Sequence, residues 1–483
     1  MSHDQSESES RGPSDLLRDL ARGTPGELGL VDVARRWTWA ELDADVSRAA
    51  TALRERGLAA GERVALQLGT GADFVALYLG ALRAGLVAVP INPSYTGPEA
   101  AYIVADSGAA LHLDAAGARE LLAGAPPAAD PDLDRSGEDL AVLLYTSGTS
   151  GRAKGAMLSA RALVANVDQL AAVDPPMVTS ADVLFIPLPL THVFGLNAGV
   201  GTALRVGATI VLADRFDPAE TLATMESEQV TAVLGVPGQY AAWLGRPEVV
   251  DAFGSVRFAM SGSTILARGV VDGFAAIGIT LHDGYGLTEA APVVTVNAIG
   301  TPRPGLVGQP LPGVEVELRD TDGDEVEDGD PGRVFIRGAN LFSGYWPDGA
   351  DGPEEDGWFG TGDIGVLDED GLALIGRSSD LVIVNGFNVY PAEVEAVLGA
   401  SPGVAEVAVV GVDDAETGEA VHAYVVAAEG VVLRPDELLA AAAGSLARFK
   451  LPSVIEVVSA LPHTVTGKIM KWQLEPSADD ATE

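Results

Sequence analysis

Strand-length apolar runs alternating with helix-length amphipathic runs predict an α/β fold built on mainly parallel sheets over the first two thirds of the chain. Loops rich in Gly, Ser, Thr and Asp follow several of these runs, at the carboxyl ends where open parallel sheets gather ligands. From about Gly305 the alternation gives way to short β-like runs separated by acidic Gly-Asp turns, a small β-subdomain. A compact α+β pattern then begins after residues 378–380, long enough, at about 100 residues, for one small domain.

The elements can be taken in order. Residues 1–14 are polar and read as disordered, and Leu16 to Leu20 as a short helix. Thr38 and Glu41 form a capping box ahead of a helix carrying Leu42, Val46, Ala49, Ala50 and Leu53 on one face. Strand, helix, strand follow over Val64–Leu68, Ala72–Ala84 and Val87–Ile91. Ala141–Tyr145 is a buried-strand candidate, as are Thr209–Ala213, Thr231–Leu234, Arg257–Met260 and Ile279–His282. Val314–Leu318 and Val334–Ile336 belong to the β-subdomain. Beyond the boundary come strand Leu381–Val384, helix Pro391–Leu398, strands Val404–Val412 and Val421–Ala427, and helix Glu437–Leu446; residues 476–483 form an acidic tail.

Composition excludes several classes of function. The 483 residues carry a net charge of −39, which disfavours nucleic acid and anionic membranes as partners. With no cysteine there is no disulfide, thiolate metal site or cysteine nucleophile. The N-terminus lacks the layout of a signal peptide, and the long uncharged stretch Val183–Leu204 is broken by Pro187 and Pro189, so a soluble cytoplasmic protein is expected. Lysine occurs only at 154, 450, 468 and 471, in a chain that otherwise draws its positive charge from arginine.

The stretch AVLLYTSGTSGRAKG, 141–155, runs an apolar strand into Thr146, Ser147, Gly148, Thr149, Ser150, Gly151 and Lys154. Glycines free backbone N–H groups to face an anion, hydroxyls add donors, and the lysine adds a charge, so the loop suits phosphate. On its own such a cluster also fits a surface turn. It is not the nucleoside-triphosphatase P-loop, because its lysine precedes a glycine and lacks the Gly-Lys-Ser/Thr order.

Four more stretches follow: PLPLTHVFGL at 187–196, DGYGLTE at 283–289, WFGTGDIG at 358–365 with GRSSDLVIVNGFNVYP at 376–391, and HTVTGK at 463–468. With the phosphate loop they resemble, in order and over nearly the whole chain, the adenylate-forming (AMP-binding) superfamily, in its acyl-CoA synthetase or fatty-acyl-CoA ligase branch. The resemblance implies a large N-terminal AMP-binding domain over 15–377, a hinge at 378–380 and a small mobile C-terminal domain over 381–475.

It also implies roles. Thr146 to Gly151 with Lys154 would hold the β- and γ-phosphates of ATP. Ser263 and Thr264, with Asp283, Gly284, Tyr285 and Gly286, would bind adenine, Tyr285 by stacking. Thr288 and Glu289 would be catalytic, Glu289 as the Mg²⁺ carboxylate, a donor that suits this hard ion beside phosphate oxygens. Asp363 would accept from the ribose diol, with Arg377 on the same sugar. His192 would gate the acyl and thiol channels, and no general base is required for a carboxylate already ionised at neutral pH. Lys468 would reach the α-phosphate during adenylation. Gly386, Phe387 and Asn388 would line the thiol tunnel, and Arg448 and Lys450 would meet CoA phosphates, although a solvated basic pair fits those two equally.

Two positions depart from the family pattern: the hinge residue is Ser379 where Asp or Lys is usual, and Arg333 stands where Glu is common. The implied activity is ATP-dependent activation of a carboxylic acid through acyl-AMP, then transfer to CoA. A medium- or long-chain fatty acid is the preferred substrate, with pocket walls at Val236–Trp243 and Gly284–Pro292. The alternatives are an aryl- or dicarboxylate-CoA ligase, a carrier-protein-loading enzyme, and a non-catalytic nucleotide-binding relative. A dicarboxylate would call for a pocket arginine, which 236–243 does not offer. Partners are then the acid, ATP and CoA, with monomer and homodimer both open.

Overall fold

The computed structural model describes residues 12–124, 137–146, 153–264, 266–297, 306–384, 387–414, 417–463 and 469–474. Packing divides the chain into two compact units, Met1–Val316 with Ile336–Phe359, and Glu317–Phe335 with Gly360–Glu483. This division falls upstream of residues 378–380, because the hairpin of Phe359–Asp368 and Gly371–Arg377 packs with the second unit.

The larger unit holds two sheets. In one, Leu111–Asp114, Arg63–Gln67, Val87–Pro90 and Leu140–Thr146 run parallel, and Lys154–Ser159 closes the edge antiparallel to the last of them. In the other, the parallel strands stand in the order Leu281–Gly286, Phe258–Ser261, Ala232–Gly235, Val183–Ile186, Thr209–Leu212, Leu28–Val31, and an antiparallel strand flanks each end. Val87–Pro90, Ala232–Gly235 and Phe258–Ser261 are buried along their whole length, as strands covered on both faces must be.

Local chemistry sets the helices. Thr38 and Glu41 make the reciprocal bonds of the expected capping box, opening helix Trp39–Glu55. The first helix spans Pro13–Gly23, with buried Pro13 and Ser14, so order begins inside the stretch expected to be disordered. Its reason lies across the fold: Arg83, fully buried, donates to Asp43 Oδ1 (2.7 Å), Ser47 Oγ (2.7 Å) and the Ser14 carbonyl (3.4 Å), fastening three helices. Val183–Leu204 is a strand over Val183–Ile186 followed by a π-helix over Phe194–Gly201, and no described helix is long and apolar enough to cross a membrane.

In the smaller unit, Phe387–Val389, Val382–Val384, Gly418–Ala427 and Val404–Asp414 pair in that order, antiparallel, and Val454–Val458 joins Gly418–Ala427 in parallel. Helices Pro391–Gly399 and Pro435–Ala442 bury Val394, Leu398 and Leu438 in the core of this unit. Arg333 donates to the Asp320 carbonyl at 2.8 Å, which accounts for an arginine there: it clamps the acidic turn that follows Arg319.

Candidate active site

Two antiparallel strands flank the phosphate-loop stretch. Thr146 ends one strand, Lys154 begins the next, and the two are in register as a pair, so the residues expected to hold phosphate bridge two fixed ends. Ser147–Gly151 themselves lie outside the described residues. The hairpin is braced from behind. Tyr145 donates to Asp106 Oδ2 at 2.6 Å, Trp346 Nε1 to the Asp106 carbonyl at 3.0 Å, and Tyr102 to the Ala153 carbonyl at 3.1 Å.

A strap over Phe342–Trp346 lies along the outer strand, with Met157 N–H donating to Gly344, Ser343 N–H to Met157 and Trp346 N–H to Gly155. It delivers Tyr345, which the sequence reading missed. Tyr345 Oη donates to Glu289 Oε1 at 2.5 Å, and Lys154 Nζ stands 5.1 Å from the centroid of the same ring. Lys154 also pairs with Asp351 at 2.9 Å, an exposed contact. One aromatic side chain thus links the phosphate-loop lysine to the expected metal carboxylate. Nothing in SGYW marks this, because the partner lies 56 residues away and only the folded chain joins them.

Glu289 and Thr288 are buried on a 3-10 turn, Thr288–Ala290, just past strand Leu281–Gly286. That strand runs four residues beyond the expected end and carries Asp283, Gly284 and Tyr285. Asp283 is 5% exposed, and burial pushes its carboxyl up to about 7 against backbone donors from Gly284 and Leu266. Ser261, its register partner on the next strand, is fully buried with a hydroxyl unpartnered among the described residues. Ser263, at a φ of +81°, and Thr264 lie exposed just beyond. At Gly286 a Cβ would lie 2.2 Å from the Pro292 carbonyl oxygen, so only glycine fits.

His192 leads into the π-helix, a rare form often found at functional positions. Its Nδ1 accepts from the Phe194 N–H at 3.2 Å, and burial of the ring lowers its pKa to about 4. At neutral pH it is an uncharged ring with its proton on Nε2, a donor and a poor cation. The π-helix is tied to the Glu289 turn, because Asn197 Nδ2 donates to the Ala291 carbonyl at 2.7 Å.

In the smaller unit Asp363 and Arg377 are register partners of one hairpin, and Arg377 Nε lies 3.2 Å from Asp363 Oδ1. The TGD sequence is therefore more than a turn: Gly362 takes φ +77° and Asp363 is 8% exposed.

Comparison with known proteins now decides the family. Residues 17–346 match the model of the AMP-binding enzyme, and residues 393–468 that of the AMP-binding enzyme C-terminal domain. This chain belongs to the AMP-binding enzyme family.

Among curated relatives of this family, a feruloyl-CoA synthase of an Amycolatopsis species is 36% identical over 90% of this chain and 93% of that protein. A long-chain-fatty-acid–CoA ligase of Bacillus subtilis is 30% identical over 95% and 93%. Among solved structures, ATP-bound MatB from Rhodopseudomonas palustris superposes with a TM-score of 0.88 at 35% identity, covering 95% of this chain and 98% of that one. The o-succinylbenzoate CoA synthetase of Bacillus subtilis, in complex with its acyl-adenylate intermediate, gives 0.86 at 27% identity, covering 97% and 99%. The mixed α/β architecture expected from the sequence is thus the fold of the adenylate-forming enzymes.

The residues fit a magnesium ion brought by a nucleotide. Among the described residues no three His, Asp or Glu side chains cluster to cage a metal, and Glu289 is a single buried carboxylate with one oxygen fixed by Tyr345. A hard ion held mostly by phosphates and water needs no more.

Phe387 is exposed and stacks on Phe449 at 4.8 Å, and Arg448 is exposed. Lys450 Nζ contacts both oxygens of Glu393, at 2.6 and 2.8 Å. The strand carrying Asn388 and the 3-10 turn carrying Ser379 are described, without their side chains, and Gly386 and Lys468 lie outside the described residues.

Proposed function

We propose that this chain is an AMP-forming acyl-CoA synthetase acting on a medium- or long-chain fatty acid. The observation that carries the reading is the Lys154–Tyr345–Glu289 link, which ties the phosphate hairpin to a buried carboxylate next to the nucleotide strand. In the first half-reaction an acid oxygen bonds to the α-phosphorus and the bond to pyrophosphate breaks. The hairpin with Lys154 holds the departing phosphates, Asp283 and Tyr285 hold adenine, Asp363 and Arg377 hold the ribose, and Lys468 offsets charge at the α-phosphate. Glu289 would hold magnesium, which when bound would supply Lewis-acid screening of the phosphate oxygens. In the second half-reaction the CoA sulfur bonds to the acyl carbon, AMP leaves, and the thiol proton passes to solvent, with residues 384–395 forming the thiol side of the site.

The test is pyrophosphate release from ATP and Mg²⁺ over carboxylates from acetate to palmitate, with benzoate, ferulate and malonate, each with and without CoA. A peak on one fatty acid with CoA-dependent thioester product supports the reading; a peak on malonate, or silence across the panel, overturns it. An aryl acid is the second reading, favoured by the similarity to feruloyl-CoA synthase. Lys468→Ala is expected to depress acyl-AMP formation at least 100-fold while sparing thioester formation from supplied acyl-AMP, and equal loss in both steps would remove the assignment.

A further inference from the structure

The wall expected to face the acid begins with Gly284, and the space a side chain would take there is already filled. A Cβ built on Gly284 falls 2.2 Å from the Cε of Met260 on the neighbouring strand, far inside any real contact. Met260 is in register with His282, so Phe258, Met260, His282 and Gly284 share one face of the sheet, while Ser261 and Asp283 share the other. Leu170 of helix Ala160–Ala171 and Ala198 of the π-helix meet Phe258 and Met260 on the first face. Between the layers lies a cavity of about 20 Å³, lined by Leu170, Ala198, Leu234, Phe258 and Val293 with Met260 among them. At roughly one water's worth of room it is closed to an acyl tail until a side chain moves. Its lining is apolar apart from Thr202, whose buried hydroxyl is unpartnered among the described residues.

We infer that Met260 is the chain-length gate of the acid pocket, and that its thioether swings off Gly284 to admit the tail of an unbranched fatty acyl chain into this cavity. The inference rests on the fatty-acid reading above. Methionine suits the task, being unbranched with three rotatable bonds, so it fills a gap closely and yields at small cost. The cavity carries no charged side chain to greet a second carboxylate, and its lining is almost wholly apolar, as a methylene chain requires. Each further methylene buried is worth about fourfold in affinity.

The experiment compares Met260→Ala and Gly284→Ala with the wild type. Met260→Ala removes three heavy atoms from the passage and is expected to move the preferred acid about two carbons longer, raising the dodecanoate-to-octanoate ratio of kcat/KM about 15-fold. Gly284→Ala drives the Met260 thioether back into the cavity and lowers that ratio. The same order is read as dissociation constants of a series of 5′-O-(N-acylsulfamoyl)adenosines, which require no turnover. Ratios within twofold of wild type in both variants, each melting cooperatively, would overturn the gate. So would Met260→Ala tightening ferulate while leaving the fatty series unchanged. A wild type silent with every acid would refute the ligase reading, and the adenosine series would still decide the gate.

Discussion

Asp283 and Asp363 are both buried carboxylates on strands that the family's motifs assign to the nucleotide, and they are stabilised in opposite ways. Asp363 has the guanidinium of Arg377 3.2 Å away across a hairpin, whereas Asp283 has backbone N–H groups and a carboxyl pushed up to about 7 by burial. An ion pair assembled in advance fixes a charge in place, and in the proposed site it would meet a neutral diol. A carboxyl without a cation bears the cost of burial until a donor arrives, and in the proposed site that donor would be the amino group of adenine.

The widest effect is expected at the paired carboxylate. If Asp363 holds the ribose as proposed, Asp363→Ala would remove two charge-assisted bonds, at about 1.5–3 kcal/mol each, so kcat/KM for ATP is expected to fall at least 100-fold. Replacing ATP by 2′-deoxy-ATP should hurt the wild type and leave the variant unmoved; an equal loss in both would place the diol elsewhere.

Asp283→Asn probes the unpaired one. Because the folded-state pKa lies above the value of 3.8, the native protein binds the extra proton between about pH 4 and 7, and stability falls as pH rises through that window. The asparagine variant is therefore expected to melt like the wild type at pH 4 and to be more stable above pH 7, by up to about 4 kcal/mol if desolvation accounts for the whole shift. A gain that is the same at both pH values would contradict the assignment.

Tyr345→Phe sharpens the contrast by freeing a third carboxylate, Glu289, from its only bonded neighbour among the described residues. Loss of one hydrogen bond to a charged group predicts about a tenfold fall in initial rate at low Mg²⁺, recovered in part as Mg²⁺ is raised. No dependence on Mg²⁺ would reduce Tyr345 to packing. The smallest effect belongs to Asp351→Ala, whose pair with Lys154 is exposed and predicts less than about 1 kcal/mol of stability, vanishing at high salt in thermal melts.

Much of this was legible in the chain. The capping box at Thr38 and Glu41, the helix over 72–83 and most parallel strands announce themselves by local chemistry and periodicity, and so appear where expected. Strand Leu281–Gly286 runs past its expected end at His282, because Asp and Gly are poor strand formers and pairing with Val293–Val296 overrides that preference. The outer hairpin strand, KGAMLS, has neither strict alternation nor β-branched residues, and its partner supplies the order. In the segment at 236–243, expected to wall the acid pocket, Tyr240 and Trp243 pack edge-on with Phe253 and Phe274 in the core, while Val236, Pro237 and Ala242 are half-buried and Gly238 and Ala241 exposed. Tyr345, Met260 and Arg83 act through neighbours far off in sequence, which no local pattern encodes.

The strap that carries Tyr345 belongs to the larger unit, while the chain on either side of it belongs to the smaller. The backbone therefore passes between the units three times, after Val316, after Phe335 and after Phe359. A protease that cuts once after Phe359 detaches Gly360–Glu483 from the backbone yet leaves its packing partner, Glu317–Phe335, joined to the larger unit. A single nick releases neither half cleanly, and an expressed fragment beginning at 360 would lack Glu317–Phe335, with the ends of two strands, from its own fold.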